Sequence, residues 1–230
     1  MRVRTALDPE KALTLLEQEH ADVMLVDLQM PKGGGRRLLS EARRRFPDVY
    51  SIVVTAYGSE AIAVEMLKEL GASGYLSKTD VNDESLDAAI RYAMRSRRAD
   101  AIAVSNGFEI VSEEGDDDVW TLYPLGYLSA QPALRRLPLL AKAVEHASDV
   151  GKKKILIDLT HLSSVAAVAM GYVLSASKRH ERAGGRLAIC GANHIVSRAL
   201  LSLNQPDQAE KGLPVFGDRE AALRSLHGSE

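Results

Sequence analysis

A chain of 230 residues, 46% hydrophobic and 26% charged, has the make-up of one or two soluble globular domains. Its net charge of -2 leaves no basic face of the kind nucleic acid demands, and no apolar run reaches membrane-spanning length. The single cysteine, Cys190, excludes a disulfide within the chain, and the start Met1-Arg2-Val3-Arg4-Thr5 has no signal-type apolar core, so a reducing cytoplasm is the expected location.

In chain order, Arg2–Ala6 reads as a short strand. Asp8 is a suitable N-cap and Pro9 a suitable first residue for a helix whose apolar face carries Ala12, Leu13, Leu15 and Leu16. Asp22–Asp27 follows as a strand, Met30–Gly35 as a loop, Arg36–Phe46 as a helix and Tyr50–Thr55 as a strand. Glu60–Leu70 is a helix stopped by Gly71, Gly74–Ser77 a strand and Asp83–Arg98 a helix. The run Arg43-Arg44-Arg45 reads as a solvated helix face. Strands alternating with helices predict crossover units and a parallel α/β sheet.

Three apolar runs in this region each end in one polar residue: Val23–Val26 in Asp27, Ile52–Val54 in Thr55, and Gly74–Ser77 in Lys78. In a parallel sheet those carboxyl ends lie side by side, on the edge where ligands bind. A carboxylate, a hydroxyl and an ammonium converging there suit a phosphoryl group, which the first accepts and the others bind. Taken singly, Asp27 could be a loop or capping aspartate and Tyr75 a packed core tyrosine.

The segments Val26-Asp27-Leu28-Gln29-Met30-Pro31, Val54-Thr55-Ala56 and Gly71–Lys78 resemble the receiver domain of two-component response regulators. The resemblance implies a flavodoxin-like fold, with Asp27 as phosphoacceptor, Thr55 as switch hydroxyl, Lys78 as phosphate-binding cation and Tyr75 as rotating aromatic. It also implies a Mg2+ ion held by Asp27 and the backbone carbonyl of Gln29. Receivers open with a strand ending in an acidic pair that binds this ion. Here Met1–Leu7 matches the second strand, while Asp8 and Glu10 belong to the next helix. Metal binding is therefore expected to be weak. A gap is expected beside Asp22–Asp27, into which Arg2–Ala6 or another chain could pair. Two explanations stay open: a start upstream of Met1, or a degenerate receiver that serves as a docking module.

After Arg98 the pattern changes. Residues 1–98 form the expected receiver, 99–107 a link and 108–228 a second domain. Phe108–Ser112 and Val119–Leu122 read as half-buried strands around an acidic turn, Glu113–Asp118. Pro132–Ser148 is a helix containing Pro138, Lys154–Asp158 a central strand, and Val165–Arg182 a small-residue helix. Arg186–Cys190 is a strand with Cys190 as a buried hydrophobe, His194–Leu203 a helix, Leu213–Phe216 a final strand and Arg219–Leu226 a closing helix. His146, His161, His180 and His194 show no metal-ligand spacing and read as surface or half-buried residues.

The run Lys154-Ile155-Leu156-Ile157-Asp158-Leu159-Thr160-His161-Leu162 carries a resemblance to the STAS domain of anti-sigma factor antagonists. So do Gly171–Leu174, Gly184–Cys190, Pro214–Leu223 and Leu125–Ala130. That implies an α/β domain with a mixed sheet. The positions matching the family's phosphoserine motif are Ala166, Ala167 and Val168, none with a hydroxyl. Ser163 and Ser164 lie just before them and read as turn or capping residues. Ala166, Ala167 and Met170 form a small apolar surface, either packed internally or open to a partner.

The function expected is a response regulator in which Asp27 phosphorylation controls a STAS output domain by protein contact, without enzyme activity. The resemblance implies as partners a sensor histidine kinase and an anti-sigma factor or other STAS-binding protein. Nucleic acid and membrane are not expected, and a homodimer is allowed. A constitutive scaffold with a degenerate receiver, and a small-ligand sensor acting through the second domain, are the alternatives.

Overall fold

Asp8 begins the first helix as the sequence predicts, its side chain accepting from the Lys11 N–H at 2.7 Å ahead of Pro9. This is seen in a computed structural model that describes residues 2–30, 34–56, 72–79, 81–105, 107–128, 136–201 and 212–228. The chain divides into two units, Met1–Arg97 and Arg98–Glu230.

The first unit contains α1 (Pro9–Gln18), β1 (Val23–Asp27), α2 (Gly34–Arg45), β2 (Tyr50–Thr55) and β3 (Gly74–Ser77). The strands are parallel and ordered β1-β2-β3, with Asp27 opposite Val54 and Thr55 opposite Ser77. Leu13 of α1 and Leu38 and Leu39 of α2 pack with Val26, Val53 and Ala72. Among the described residues β1 is a sheet edge, and its Leu25 is 45% exposed. Arg2–Ala6, expected as a strand, is unpaired. Arg2 and Arg4 instead reach Glu19 at the end of α1, at 3.1 and 2.7 Å. The helix expected over Glu60–Leu70 lies outside the described residues.

Helix α3 (Asp83–Val104) runs beyond the expected end at Arg98, through most of the segment read as a link. Nothing in Ala99–Val104 breaks a helix. The stop comes at Gly107, whose N–H returns to the Ile102 carbonyl at 2.8 Å. Within the second unit Ala99 and Ile102 pack on Tyr123 and Leu125, which is the burial that keeps this last stretch helical.

The second unit continues with β4 (Phe108–Glu114), β5 (Val119–Leu128), α4 (Leu139–Asp149), β6 (Lys154–Asp158), β7 (Leu162–Val165), α5 (Ala167–Arg182), β8 (Arg186–Cys190), α6 (His194–Leu201) and α7 (Arg219–His227). The sheet is mixed, ordered β4-β5-β6-β8 with β7 also beside β5, and only the β4–β5 pair is antiparallel. Strand β5 serves two partners. Val119–Leu122 pairs with β6 and Gly126–Leu128 with β7, with a register shift at Gly126. Gly126 has φ +83, and a Cβ there would stand 2.5 Å from the Gly107 carbonyl oxygen, so the position demands glycine.

Alternation along β6 and β8 divides the core between two faces. Ile155, Ile157, Leu187 and Ile189 meet Val144 of α4 and Met170 and Val173 of α5. Leu156, Ala188 and Cys190 meet Ala222 and Leu226 of α7.

Several sequence expectations change here. Ser163 and Ser164 sit in a short strand, because β7 finds the second half of β5 as its partner. Helix α4 starts at Leu139 with Pro138 as its N-cap, since a proline N–H is missing only at no cost there. Leu213–Phe216 makes one bridge, Val215 with Ile189, and no longer strand.

Candidate functional site

The edge formed by the carboxyl ends of β1, β2 and β3 gathers the polar residues singled out in the sequence. Lys78, immediately after β3, donates from Nζ to Asp27 Oδ2 at 2.6 Å, across 51 positions of chain. Its backbone N–H donates to the Thr55 carbonyl at 2.8 Å, which fastens the turn carrying Lys78 to the end of β2. Thr55 follows the residue that pairs with Asp27, and it is buried at 2% exposure. Tyr75 is half-buried on β3 opposite Val53, packed against the core of the first unit.

Asp27 itself is half-exposed, and its other oxygen, Oδ1, accepts from the Gln29 N–H at 2.9 Å. The role expected of Gln29 concerned its carbonyl; the hydrogen bond through its N–H was not foreseen from sequence. An Asx-type turn at Asp27-Leu28-Gln29 is the signal that could have found it. Partial burial pushes the Asp27 carboxyl up, but the Lys78 hydrogen bond, the Gln29 N–H and the Lys78 charge outweigh it, so Asp27 titrates below its ordinary value. The carboxylate is therefore ionised at neutral pH, with a cation already beside it.

Receiver domains ordinarily bind Mg2+. Among the described residues no cluster of three or more His, Cys, Asp or Glu is placed to hold a metal ion. The donors at this edge are the Asp27 carboxylate and the exposed Gln29 backbone. Magnesium takes oxygen ligands, with as few as one or two carboxylates and the rest water or phosphate. The donor set among the described residues fits that ion at its minimum.

In the second unit, Ala166 is the N-cap of α5 and makes no side-chain capping bond. Ala166 and Ala167 are half-buried, whereas Val168 is 58% exposed. Met170, read with the two alanines as either packed internally or open to a partner, is fully buried in the core. The residues turned outward are Val168 and, four positions on, Tyr172 at 49% exposure. One more helical step would have separated these faces, since i and i+4 share a side and i+2 does not.

A second carboxylate ends a parallel strand in this unit. Asp158 Oδ2 accepts from Arg219 Nη1 at 3.0 Å, and Oδ1 accepts from Thr160 Oγ1 at 2.6 Å and the Thr160 N–H at 3.1 Å. Arg219 also lies over the Tyr123 ring, 5.7 Å from its centroid. Burial, with the nearby Asp158 charge, pushes the Cys190 thiol up to about 12, so it is inert. His180, expected at the surface or half-buried, is buried: Nδ1 meets Ser148 Oγ at 3.0 Å and Nε2 meets the Lys153 carbonyl at 3.1 Å. A carbonyl only accepts, so Nε2 carries the proton and the ring is a structural cross-link. No helix among the described residues is long and apolar enough to cross a membrane.

Comparison with known proteins follows the same division. A family model described as a response regulator receiver domain matches residues 1–91, and one described as a STAS domain matches residues 117–207. The chain is similar to the oxygen regulatory protein NreC of Staphylococcus haemolyticus, 30% identical over 66% of this chain and 69% of that protein. It is also similar to NreC of Staphylococcus carnosus, 34% identical over 61% of this chain and 64% of that protein. The chain thus spans about two thirds of the length of these curated relatives. Among solved structures, a response regulator protein from Burkholderia pseudomallei with a phosphorylated aspartic acid, calcium ion and citrate is 33% identical, over 46% of this chain and 60% of that one, with a TM-score of 0.37.

Proposed function

The chain belongs to the response regulator receiver family and carries a STAS domain, and from that premise we propose that phosphorylation of Asp27 controls which protein its STAS domain binds. The observation that carries this reading is the 2.6 Å contact between Lys78 Nζ and Asp27 Oδ2 at the carboxyl edge of the parallel sheet.

Receiver domains take their phosphoryl group from histidine kinases. An Asp27 carboxylate oxygen attacks the phosphorus of a phosphohistidine, an O–P bond forms, the P–N bond breaks and the imidazole leaves with a proton. Lys78 moves its charge from the carboxylate to the incoming phosphoryl oxygens, and the Thr55 hydroxyl hydrogen-bonds one of them. A Mg2+ ion, held by Asp27 and the Gln29 carbonyl, would supply further neutralisation of charge there. Movement of Thr55 towards the phosphoryl group leaves space into which Tyr75 turns, a local change with a wider readout.

STAS domains bind proteins, and in this one the motif positions Ala166, Ala167 and Val168 offer no hydroxyl for a kinase. Control by phosphate therefore falls to Asp27, and the exposed pair Val168 and Tyr172 is the contact surface for an anti-sigma factor-like partner. That no group of three or more metal-ligating side chains gathers among the described residues favours one second reading, a constitutive binding module whose receiver docks without being phosphorylated.

Incubation with acetyl phosphate and Mg2+, followed by intact mass measurement, separates the two. The regulator reading expects one phosphoryl adduct that Asp27→Ala abolishes. A chain that stays unmodified supports the binding module.

A further inference from the structure

We infer that Gly35 is a positioning residue for Asp27: lacking a Cβ, it lets the first turn of α2 press on the Asp27–Leu28 peptide and so hold the carboxylate between Gln29 and Lys78. The inference rests on the reading of Asp27 as phosphoacceptor and deepens it. A Cβ built on Gly35 would overlap the Asp27 carbonyl oxygen and stand 2.6 Å from Leu28 Cα and 3.0 Å from the Leu28 carbonyl oxygen. All three are backbone atoms, so no side-chain rotation relieves the contact.

Glycine here is not a matter of backbone conformation, since Gly35 is helical and does not lie in the left-handed region. Within a helix it is less favourable than alanine. What the missing methyl group provides is space. Leu38 and Leu39, 3% and 1% exposed, fix α2 against the sheet one turn later, so the helix cannot retreat freely. On the other side, Asp27 is still paired to β2. A side chain at position 35 would therefore displace the Asp27–Leu28 peptide by about 1 Å to restore van der Waals separation. That peptide joins the carboxylate to Gln29, whose N–H fixes Oδ1 at 2.9 Å. Its displacement disturbs both hydrogen bonds that aim the carboxylate.

Gly34 supplies the comparison. It is also buried in the first turn of α2, but its Cβ would meet the Pro9 ring, with Cγ at 2.6 Å, and not the Asp27 backbone. Gly35→Ala and Gly34→Ala both crowd a packed contact; only the first reaches Asp27.

The test uses the full chain with acetyl phosphate and Mg2+. Gly35→Ala should lower the maximal rate of acyl phosphate formation about 10- to 100-fold, the scale of a 1 Å misplacement, with the half-saturating donor concentration unchanged. Gly34→Ala should stay within about twofold, whatever its thermal midpoint. The amide signal of Gln29 in a nitrogen–proton NMR spectrum should move in Gly35→Ala towards its position in Asp27→Ala, and stay in place in Gly34→Ala. Equal slowing by both variants, or an unmoved Gln29 signal in Gly35→Ala, overturns the inference. If the unaltered chain takes no phosphate from the donor, the phosphoacceptor reading fails, and the Gln29 signal alone decides the role of Gly35.

Discussion

Val26-Asp27-Leu28 and Ile157-Asp158-Leu159 are nearly the same three residues, each ending an apolar parallel strand, and the structure gives them opposite fates. Asp158 is closed in. Thr160 occupies one oxygen twice, Arg219 the other, and the side chain is 11% exposed. Asp27 is left open at 37% exposure, with one backbone N–H and one partly exposed lysine as its partners. What separates a structural carboxylate from a chemically available one is the set of groups that reaches it from elsewhere in the chain. Arginine stacked on Tyr123 is a fixed, planar partner, whereas a lysine on a flexible stem can follow an arriving phosphoryl group.

The largest effect that would break this contrast concerns the lysine. Lys78→Ala should slow acyl phosphate formation on Asp27 by about 100-fold or more, while Arg219→Ala leaves the rate unchanged, both read by the time course of adduct formation. Comparable slowing by the two would mean that the second cluster also serves the chemistry.

Stability should divide the other way. Asp158→Ala removes the acceptor for Thr160 and for a partly exposed arginine, and should cost about 2 kcal/mol in urea unfolding. Asp27→Ala breaks a half-exposed ion pair and should cost less than about 1 kcal/mol. Reversed costs would make Asp27 the structural carboxylate.

Thr160→Val sharpens the comparison at smaller scale. It removes the 2.6 Å hydroxyl bond, keeps the N–H bond, and should cost about 1 kcal/mol with no change in Asp27 labelling.

Acid provides the smallest effect. The folded Asp27 carboxyl is depressed, so its stabilisation is fully present above the unfolded carboxyl value of about 3.9 and is lost as pH falls through the lower folded value. Asp27→Asn should remove that part of the acid dependence, measured by unfolding at stepped pH, and leave the rest of the curve in place.

The sequence showed the alternation of strands and helices because apolar period and capping residues are local signals, as at Asp8-Pro9. It brought Asp27, Thr55 and Lys78 to one edge because a parallel sheet places strand ends together by topology. Local pattern could not show that Asp158 is neutralised by a residue 61 positions away. Nor could it foresee that Arg2–Ala6 lies unpaired, with Arg2 and Arg4 reaching Glu19 instead. Strand β7 was hidden for a similar reason: its pairing depends on a partner change at Gly126, while Ser163 and Ser164 read locally as turn or capping residues. Gly35 read as part of a glycine loop, and only packing reveals what its missing methyl group permits.

The most direct test of the account is peptide-level mass measurement of the chain after acetyl phosphate and Mg2+, run beside Asp27→Asn and Asp158→Asn. The account predicts a single phosphoryl group on the peptide bearing Asp27, retained in Asp158→Asn and absent in Asp27→Asn. An adduct that persists in Asp27→Asn, or none in any of the three, would contradict it.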